Sequence, residues 1–501
     1  MDYLIGLDIG TSGAKALLLN TKGRVVASAS SGYSFQTAKP LWAEQDPRVW
    51  WKGTKRAIRG LFESGRFDHR RVRGIGLTGQ MHGLVMLGKD GDVLRPCIMW
   101  NDQRTEPECR QLLARVGAQR MVRLTGNTAL PGFTAPKIRW VRKHEPRVFD
   151  RARHILLPKD YIRYRLTGGY STEVSDASGT ALLDVRRRSW SQEMIRAVGM
   201  PPEWLPEVVE SPEITGRLSR IAGAALGLQH GIPVVGGGGD QAAGAVGSGI
   251  VKPGLILAVV GTSGVVFAHS DTYRFEPNGR LHAFCHAVPG AWHLMGVTLS
   301  AGGSLSWFHQ TAGTGSFDAL MQSANKSPAG SRQLLFLPYL TGERTPYPDP
   351  RARGAFIGLT VRHSLRDMIR AVMEGVAFSL RDCLELMRTT NLSIDGVRVS
   401  GGGARSALWR HIIADILDHE VETVTSTEGA PYGAALLAGV GAGIFETVDE
   451  ACAATVRVVS RTSPQKKNRS IYRDLYQQYR SAYPALRKIN INLSEQEAGA
   501  Q

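Results

Sequence analysis

Two short glycine and hydroxyl loops carry most of the chemistry this chain advertises: Asp8-Ile9-Gly10-Thr11-Ser12-Gly13 near its start and Val259-Val260-Gly261-Thr262-Ser263-Gly264 in its middle. A strand ending in Gly-Thr-Ser-Gly bends sharply, turns backbone N–H groups toward an anionic oxygen and sets two hydroxyls beside it. One such tetrapeptide is more often an ordinary hairpin turn than a phosphate site. Two copies, each preceded by an aliphatic run, reverse that balance and read as related domains closing on one nucleotide, ATP, from both sides. The first copy carries Asp8 where the second carries Val259, so only the first keeps a carboxylate that can hold Mg²⁺ beside the phosphates. The competing role for Asp8 is a buried carboxylate that satisfies turn N–H groups. Thr11, Ser12 and Gly13 are the phosphate contacts expected on one side, and Gly261, Thr262 and Ser263 on the other. Lys15 either neutralises phosphate charge or is an exposed strand lysine.

Phosphoryl transfer to a hydroxyl also needs a base and a way to keep water out. Asp240, directly after Gly236-Gly237-Gly238-Gly239, is the candidate base. Because it opens a predicted helix, it also fits an N-cap, a position that Asp favours. Met81-His82 lies between a strand end and Gly83, and Trp100 closes another apolar run. A lone histidine is more often a satisfied structural group, but this placement points His82 toward a cleft.

These residues need elements to hold them. Leu4–Leu7 and Leu255–Ala258 read as buried strands, as do Ala16–Leu19, Val25–Ala27, Ile75–Thr78, Leu84–Leu87 and Val397–Ser400. A long amphipathic helix is predicted over Leu365–Arg388. Small-residue helices at Ala243-Gly244-Ala245-Val246 and Tyr432-Gly433-Ala434-Ala435 suit a close crossing at a hinge. A length of 501 residues exceeds what one core supports, roughly 250–300 residues. The expected division is 1–250 (first phosphate loop, Asp240 and acceptor site), 251–489 (nucleotide site) and a frayed polar tail over 490–501. The fold class is α/β, with mixed sheets flanked by helices and a cleft between the two units.

The net charge of +17 raises the question of nucleic acid, but clusters such as Arg186-Arg187-Arg188 are short and scattered, so the charge reads as a solvated surface. Five scattered cysteines form no CxxC pair and suggest neither a disulfide framework nor a zinc site. No apolar run is long enough to cross a bilayer, and Met1-Asp2-Tyr3-Leu4 leads straight into a strand. A cytoplasmic protein without membrane or nucleic-acid partners is expected.

Taken together, the chain resembles the FGGY family of carbohydrate kinases. The resemblance covers nearly its whole length and includes two family signatures, Gly132-Phe133-Thr134-Ala135-Pro136-Lys137-Ile138-Arg139-Trp140 and the stretch from Gly354-Ala355-Phe356 to Val372-Met373-Glu374. It implies two actin-like, ribonuclease H-type domains. Gly302, Ser306, Gly402, Gly403 and Ser406 would border the adenosine, and Met81, His82, Trp100, Asp240 and Gln241 would line the sugar pocket. Gln80-Met81-His82-Gly83, Trp100-Asn101-Asp102, Leu157–Tyr161 and Gly342-Glu343-Arg344-Thr345-Pro346 are most similar to bacterial members that phosphorylate D-xylulose. Some of those members have asparagine at the position of Gln241. Other ketoses or polyols (ribulose, fuculose, gluconate, glycerol) and an actin-like ATPase switch are the alternatives. A homodimer is the assembly the family suggests.

Overall fold

The computed structural model describes residues 1–313, 315–425 and 428–499. Strand β1 (Tyr3–Ile9) is covered on both faces, which explains its nearly unbroken apolar run. It pairs antiparallel with β2 (Gly13–Asn20), which continues to β3 (Val25–Gly32), and parallel with β4 (Val72–Gly79). Strands β5 (Ile214–Arg217) and β6 (Pro233–Val235) extend the sheet to the order β5-β6-β4-β1-β2-β3, while β7 (Gly238–Gly239) adds to the end of β4.

The second sheet repeats this plan. Its strands are β8 (Gly254–Val260), β9 (Gly264–Ser270), β10 (His282–Cys285), β11 (Trp292–Thr298), β12 (Ile394–Ser400), β13 (Val421–Val424) and β14 (Val458–Thr462), in the order β10-β11-β9-β8-β12-β13-β14. As β1 does, β8 runs antiparallel to the strand that follows it and parallel to a strand reached by a long crossover. Both glycine loops are therefore turns of central hairpins, closed by Gly10 N to Gly13 O at 3.0 Å and Gly261 N to Ser263 O at 3.1 Å. Asp8 and Val259 occupy equivalent places, each two residues before the first loop glycine.

Five helices matter for the site: α1 (Asp240–Gly247), α2 (Gly302–Ala312), α3 (Leu365–Arg388), α4 (Ala430–Gly441) and α5 (Arg469–Gly499). Helix α3 has the predicted bounds, and Ser364 with Asp367 forms a capping box at its start. Helix α4 departs from the division at residue 250. Although it belongs to the C-terminal half of the chain, it lies on the N-terminal sheet, where a Cβ at Gly6 would stand 1.8 Å from Pro431 O and one at Gly76 1.9 Å from Ala434 O. It also crosses α1 so closely that a Cβ at Gly433 would meet Ala243 O at 1.8 Å. The paired small-residue helices thus form the junction of the two halves, and one apolar cluster joins Leu4, Leu17 and Leu19 to Leu436 and Leu437. Helix α5 continues through residues 490–499, where the sequence suggests a frayed tail; residues 500 and 501 lie outside the described residues. Among the described residues no helix is long and apolar enough to cross a membrane.

Candidate active site

The site assembles where the central strands of both sheets end. In the N-terminal sheet Asp8 pairs in register with Lys15 on β2 and Thr78 on β4. Gln80 continues β4, with its N–H on Ile9 O at 2.9 Å, and its side-chain carbonyl accepts from Thr11 Oγ1 at 3.3 Å. The Trp100 indole N–H donates to the same Thr11 hydroxyl at 3.0 Å, and Gln45 Nε2 holds Thr11 O at 3.2 Å. The first loop is thus braced by Gln45, Gln80 and Trp100. Lys15 is ion-paired with Glu428, just ahead of α4.

Because β7 runs beside the end of β4, with Gly238 opposite Thr78 and Gly239 opposite Gly79, Asp240 emerges beside Asp8 at the start of α1. Gly239 takes the N-cap position, without a side-chain cap, and Asp240 is the first helical residue. The capping role is therefore not the one Asp240 plays. Burial pushes its carboxyl up to about 6, opposed by the nearby Gln241 N–H and side-chain amide. Burial and then the charge of Asp240 push Asp8 up to about 7, with Lys15 acting in the opposite direction. Two half-buried carboxyls thus stand close enough for the charge of one to act on the other.

Behind Asp240, Gly239 N donates to Ser175 Oγ at 3.0 Å. Ser175 belongs to a fully buried group in which Lys159 Nζ meets Asp160 at 2.6 Å and Glu173 and Asp176 at 3.4 Å. Asp176 has no hydrogen-bond partner on either oxygen among the described residues, and burial holds it well above the carboxylate range.

His82 adopts φ +69° and stacks on Phe133, with ring centroids 4.6 Å apart. Its Nδ1 lies 2.6 Å from Gly179 O. A carbonyl only accepts, so the proton sits on Nδ1 and Nε2 is left as an acceptor. Burial lowers the imidazole to about 3, so the ring is neutral. The His82 carbonyl accepts from Thr134 Oγ1 at 3.0 Å and from buried Lys137 Nζ at 2.9 Å, which gives the Gly132–Trp140 signature a structural task. Met81 packs on Gly239 and Gly179: a Cβ on either glycine would come within about 3 Å of its side chain. Trp100 remains 41% exposed while its indole N–H holds the first loop.

The second loop leads into a cavity of about 1190 Å³. Gly261, Thr262, Gly302, Ser306, Gly402, Gly403 and Ser406 all line it; Ser263 does not. Gly302 N bonds Gly261 O at 2.7 Å and Gly303 N bonds Thr262 O at 3.0 Å, so the loop is seated on the start of α2. Gly401–Gly403 follow β12 as Gln80–Gly83 follow β4, so the two sheets present polar and glycine-rich segments at equivalent strand ends.

Residues 3–247 match the N-terminal domain, and residues 256–442 the C-terminal domain, of the FGGY family of carbohydrate kinases. The chain belongs to that family. It is 43% identical to the xylulose kinase of Escherichia coli (strain K12), over 87% of this chain and 90% of that one, and 39% identical to the xylulose kinase of Bacillus subtilis (strain 168), over 98% and 99%. The crystal structure of a "xyloylose kinase" from Brucella ovis superposes with a TM-score of 0.92 at 39% identity, covering 97% of this chain and all of that one. The protein is accordingly a carbohydrate kinase with the two-domain α/β fold of the family, and kinase membership carries the use of ATP.

Sequence reasoning missed Gln80 as a brace of Thr11 and the buried group around Lys159. Gln80 lies inside a segment already singled out, and only the register of β4 against β1 reveals what it holds.

Proposed function

We propose that this kinase transfers the γ-phosphoryl group of ATP to the 5-hydroxyl of D-xylulose. What supports this reading is the grouping of Asp240, Met81 and His82 at neighbouring strand ends of the N-terminal sheet, where Met81 packs on Gly239, the residue before Asp240, and both Met81 and His82 pack on Gly179. Support for the ketose comes from relatives named xylulose kinase that align over most of the chain.

Asp240 takes the proton from the sugar hydroxyl as its oxygen attacks the γ-phosphorus, and the bond from that phosphorus to the bridging oxygen breaks to release ADP. His82 Nε2 accepts a hydrogen bond from a sugar hydroxyl, Met81 and Trp100 form the apolar wall, and Gln241 steadies Asp240. Thr11, Ser12, Gly13 and Lys15 meet the phosphates from one side, with Gly261, Thr262 and Ser263 on the other; Gly302, Ser306, Gly402, Gly403 and Ser406 bound the adenosine.

Asp8 suits Mg²⁺, since its carboxyl is pushed to about 7 by burial and by Asp240, a setting in which a cation would relieve two crowded anions. Bound there, Mg²⁺ would neutralise charge on the β and γ oxygens. The free, buried cysteines suit a reducing cytoplasm, and a homodimer is the assembly proposed from the family.

The test measures sugar phosphate and ADP with D-xylulose, L-ribulose, glycerol and D-gluconate. Wild type should prefer D-xylulose, and Asp240→Asn should lose roughly 10²–10⁴ in kcat while still binding ATP. Preference for another acceptor would overturn the substrate, and turnover indifferent to all sugars would favour the ATPase switch.

A further inference from the structure

Arg344 is the cleft residue that this mechanism leaves without a task. Its neighbours are held tightly. Glu343 accepts from Thr298 Oγ1 at 2.6 Å, Leu299 N at 3.0 Å and Arg344 N at 2.7 Å. Thr345 N donates to Val297 O at 3.0 Å, while its hydroxyl accepts from Val297 N at 3.2 Å and donates to Arg280 O at 2.9 Å. The backbone of Arg344 is thereby pinned to the end of β11, where Thr298 lies in register with Gly264 of the second phosphate loop.

The side chain is in a different situation. It is half-buried, and its guanidinium makes no hydrogen bond or ion pair among the described residues. Its charge bears on both His82 and His282. Those two rings flank Phe133, at centroid distances of 4.6 and 5.8 Å. Asn127 Oδ1 already engages His282 Nδ1 at 2.6 Å. An arginine whose guanidinium makes no hydrogen bond among the described residues thus sits on a segment that continues the line of β10, since Thr345 bonds Val297 and Arg280 while His282 pairs with Met295, and so stands from the C-terminal half close to the His282, Phe133 and His82 rings.

The chemistry of the pair is complementary. A guanidinium only donates, and the free Nε2 of His82 only accepts. An α-hydroxyketone presents the matching couple, a carbonyl oxygen that only accepts beside a hydroxyl that can donate. In the related alditol the carbonyl becomes a second hydroxyl, whose proton must find its own acceptor on a side supplied with donors. Leaving such a proton unpaired in a closed site is costly.

We propose that Arg344 is a specificity-determining residue that donates to the ketone oxygen of the acceptor, while His82 accepts from an adjacent hydroxyl. The proposal rests on the ketose reading above. Because the cation comes from the C-terminal half and the base from the N-terminal half, recognition of the ketone also draws the halves together over the reacting hydroxyl.

The experiment measures kcat/KM for D-xylulose and for xylitol with wild type, Arg344→Met and Arg344→Lys, alongside thermal midpoints and sugar-independent ATP hydrolysis. Arg344→Met should lose roughly 10- to 100-fold toward xylulose, the effect of one charge-assisted hydrogen bond, and less than about threefold toward xylitol. Arg344→Lys should recover part of the xylulose activity. Equal losses on both acceptors, or none, with a wild-type preference for xylulose would overturn the role of Arg344 and leave the ketose reading standing. A wild-type preference for xylitol would overturn both. Should Arg344→Met lower the thermal midpoint, Arg344→Gln must show the same selective loss, and an even loss there overturns the proposal.

Discussion

Asp240 and His293 show burial acting on two residues to different ends. For Asp240 it lifts a carboxyl to about 6, near the pH at which a general base has most effect. His293, on β11, is buried and stacked on Phe267 at 4.2 Å. Burial, helped by the neighbouring His269, pushes it down to about 3. Unfolded histidine titrates near ~6.5. Between that value and about 3 the unfolded chain binds a proton that folded His293 refuses, so its contribution to stability is fully present above pH ~6.5 and is lost as the pH falls. Glu343 and Asp382, both raised to about 7 by burial, act with the opposite sign, so the effect must be read as a difference between proteins. His293→Phe should make unfolding free energy less acid-sensitive than wild type by up to ~1.4 kcal/mol per pH unit over this window. Parallel urea melts from pH 7 to pH 4 that gave identical slopes would show that His293 is not held neutral.

At the level of elements, much was legible. The aliphatic runs before both loops became the central strands, and the apolar periodicity of Leu365–Arg388 gave the long helix with its bounds intact. Such signals are local, carried by burial on one face or two. Helix α4 illustrates what sequence could not say. Its small residues announced a close crossing, but nothing local to residues 430–441 states that it lies on the N-terminal sheet, because that contact is written in Gly6 and Gly76, more than 350 positions away by number. Arg344 escaped for a related reason: a charged residue in a recognised segment looks the same in sequence whether its side chain is paired or free. The candidate pocket residues were legible as candidates because they sit at strand ends, whereas Gln80 and Lys159 act through partners that only the fold supplies. The crossing itself makes a test. Gly433→Val would drive side-chain atoms into the Ala243 carbonyl, which already stands 1.8 Å from where a Cβ would be. With backbone on the other side, relief requires α1 and α4 to separate. A loss of about 1–3 kcal/mol or more is expected in urea unfolding, with kcat falling as Asp240 at the start of α1 is displaced. Unchanged stability would mean that the halves do not meet there.

At the scale of the whole molecule, the two copies of the fold differ at their strand ends, and on the function proposed above each copy takes one ligand. The N-terminal copy keeps Asp8 and adds Asp240 and His82 at its strand ends, while the C-terminal copy has Val259 and offers glycines around a cavity. A substitution on one side should therefore change affinity for one ligand. Gly402 and Gly403 provide a paired trial, because both line the cavity but only one faces open space. A Cβ on Gly402 would meet nothing within 4 Å, whereas on Gly403 it would stand 2.5 Å from Val260 Cγ1. Gly402→Leu should project into the cavity, leave the thermal midpoint unchanged and raise KM for ATP at least about tenfold, the equivalent of ~1.4 kcal/mol, without moving KM for the sugar at saturating ATP. Gly403→Leu should instead lower the thermal midpoint, because β8 has to shift to admit it. Sugar KM rising in step with ATP KM for Gly402→Leu would mean that the two sites are coupled through closure more tightly than their separate strand ends imply, and that the cavity is not a nucleotide site alone.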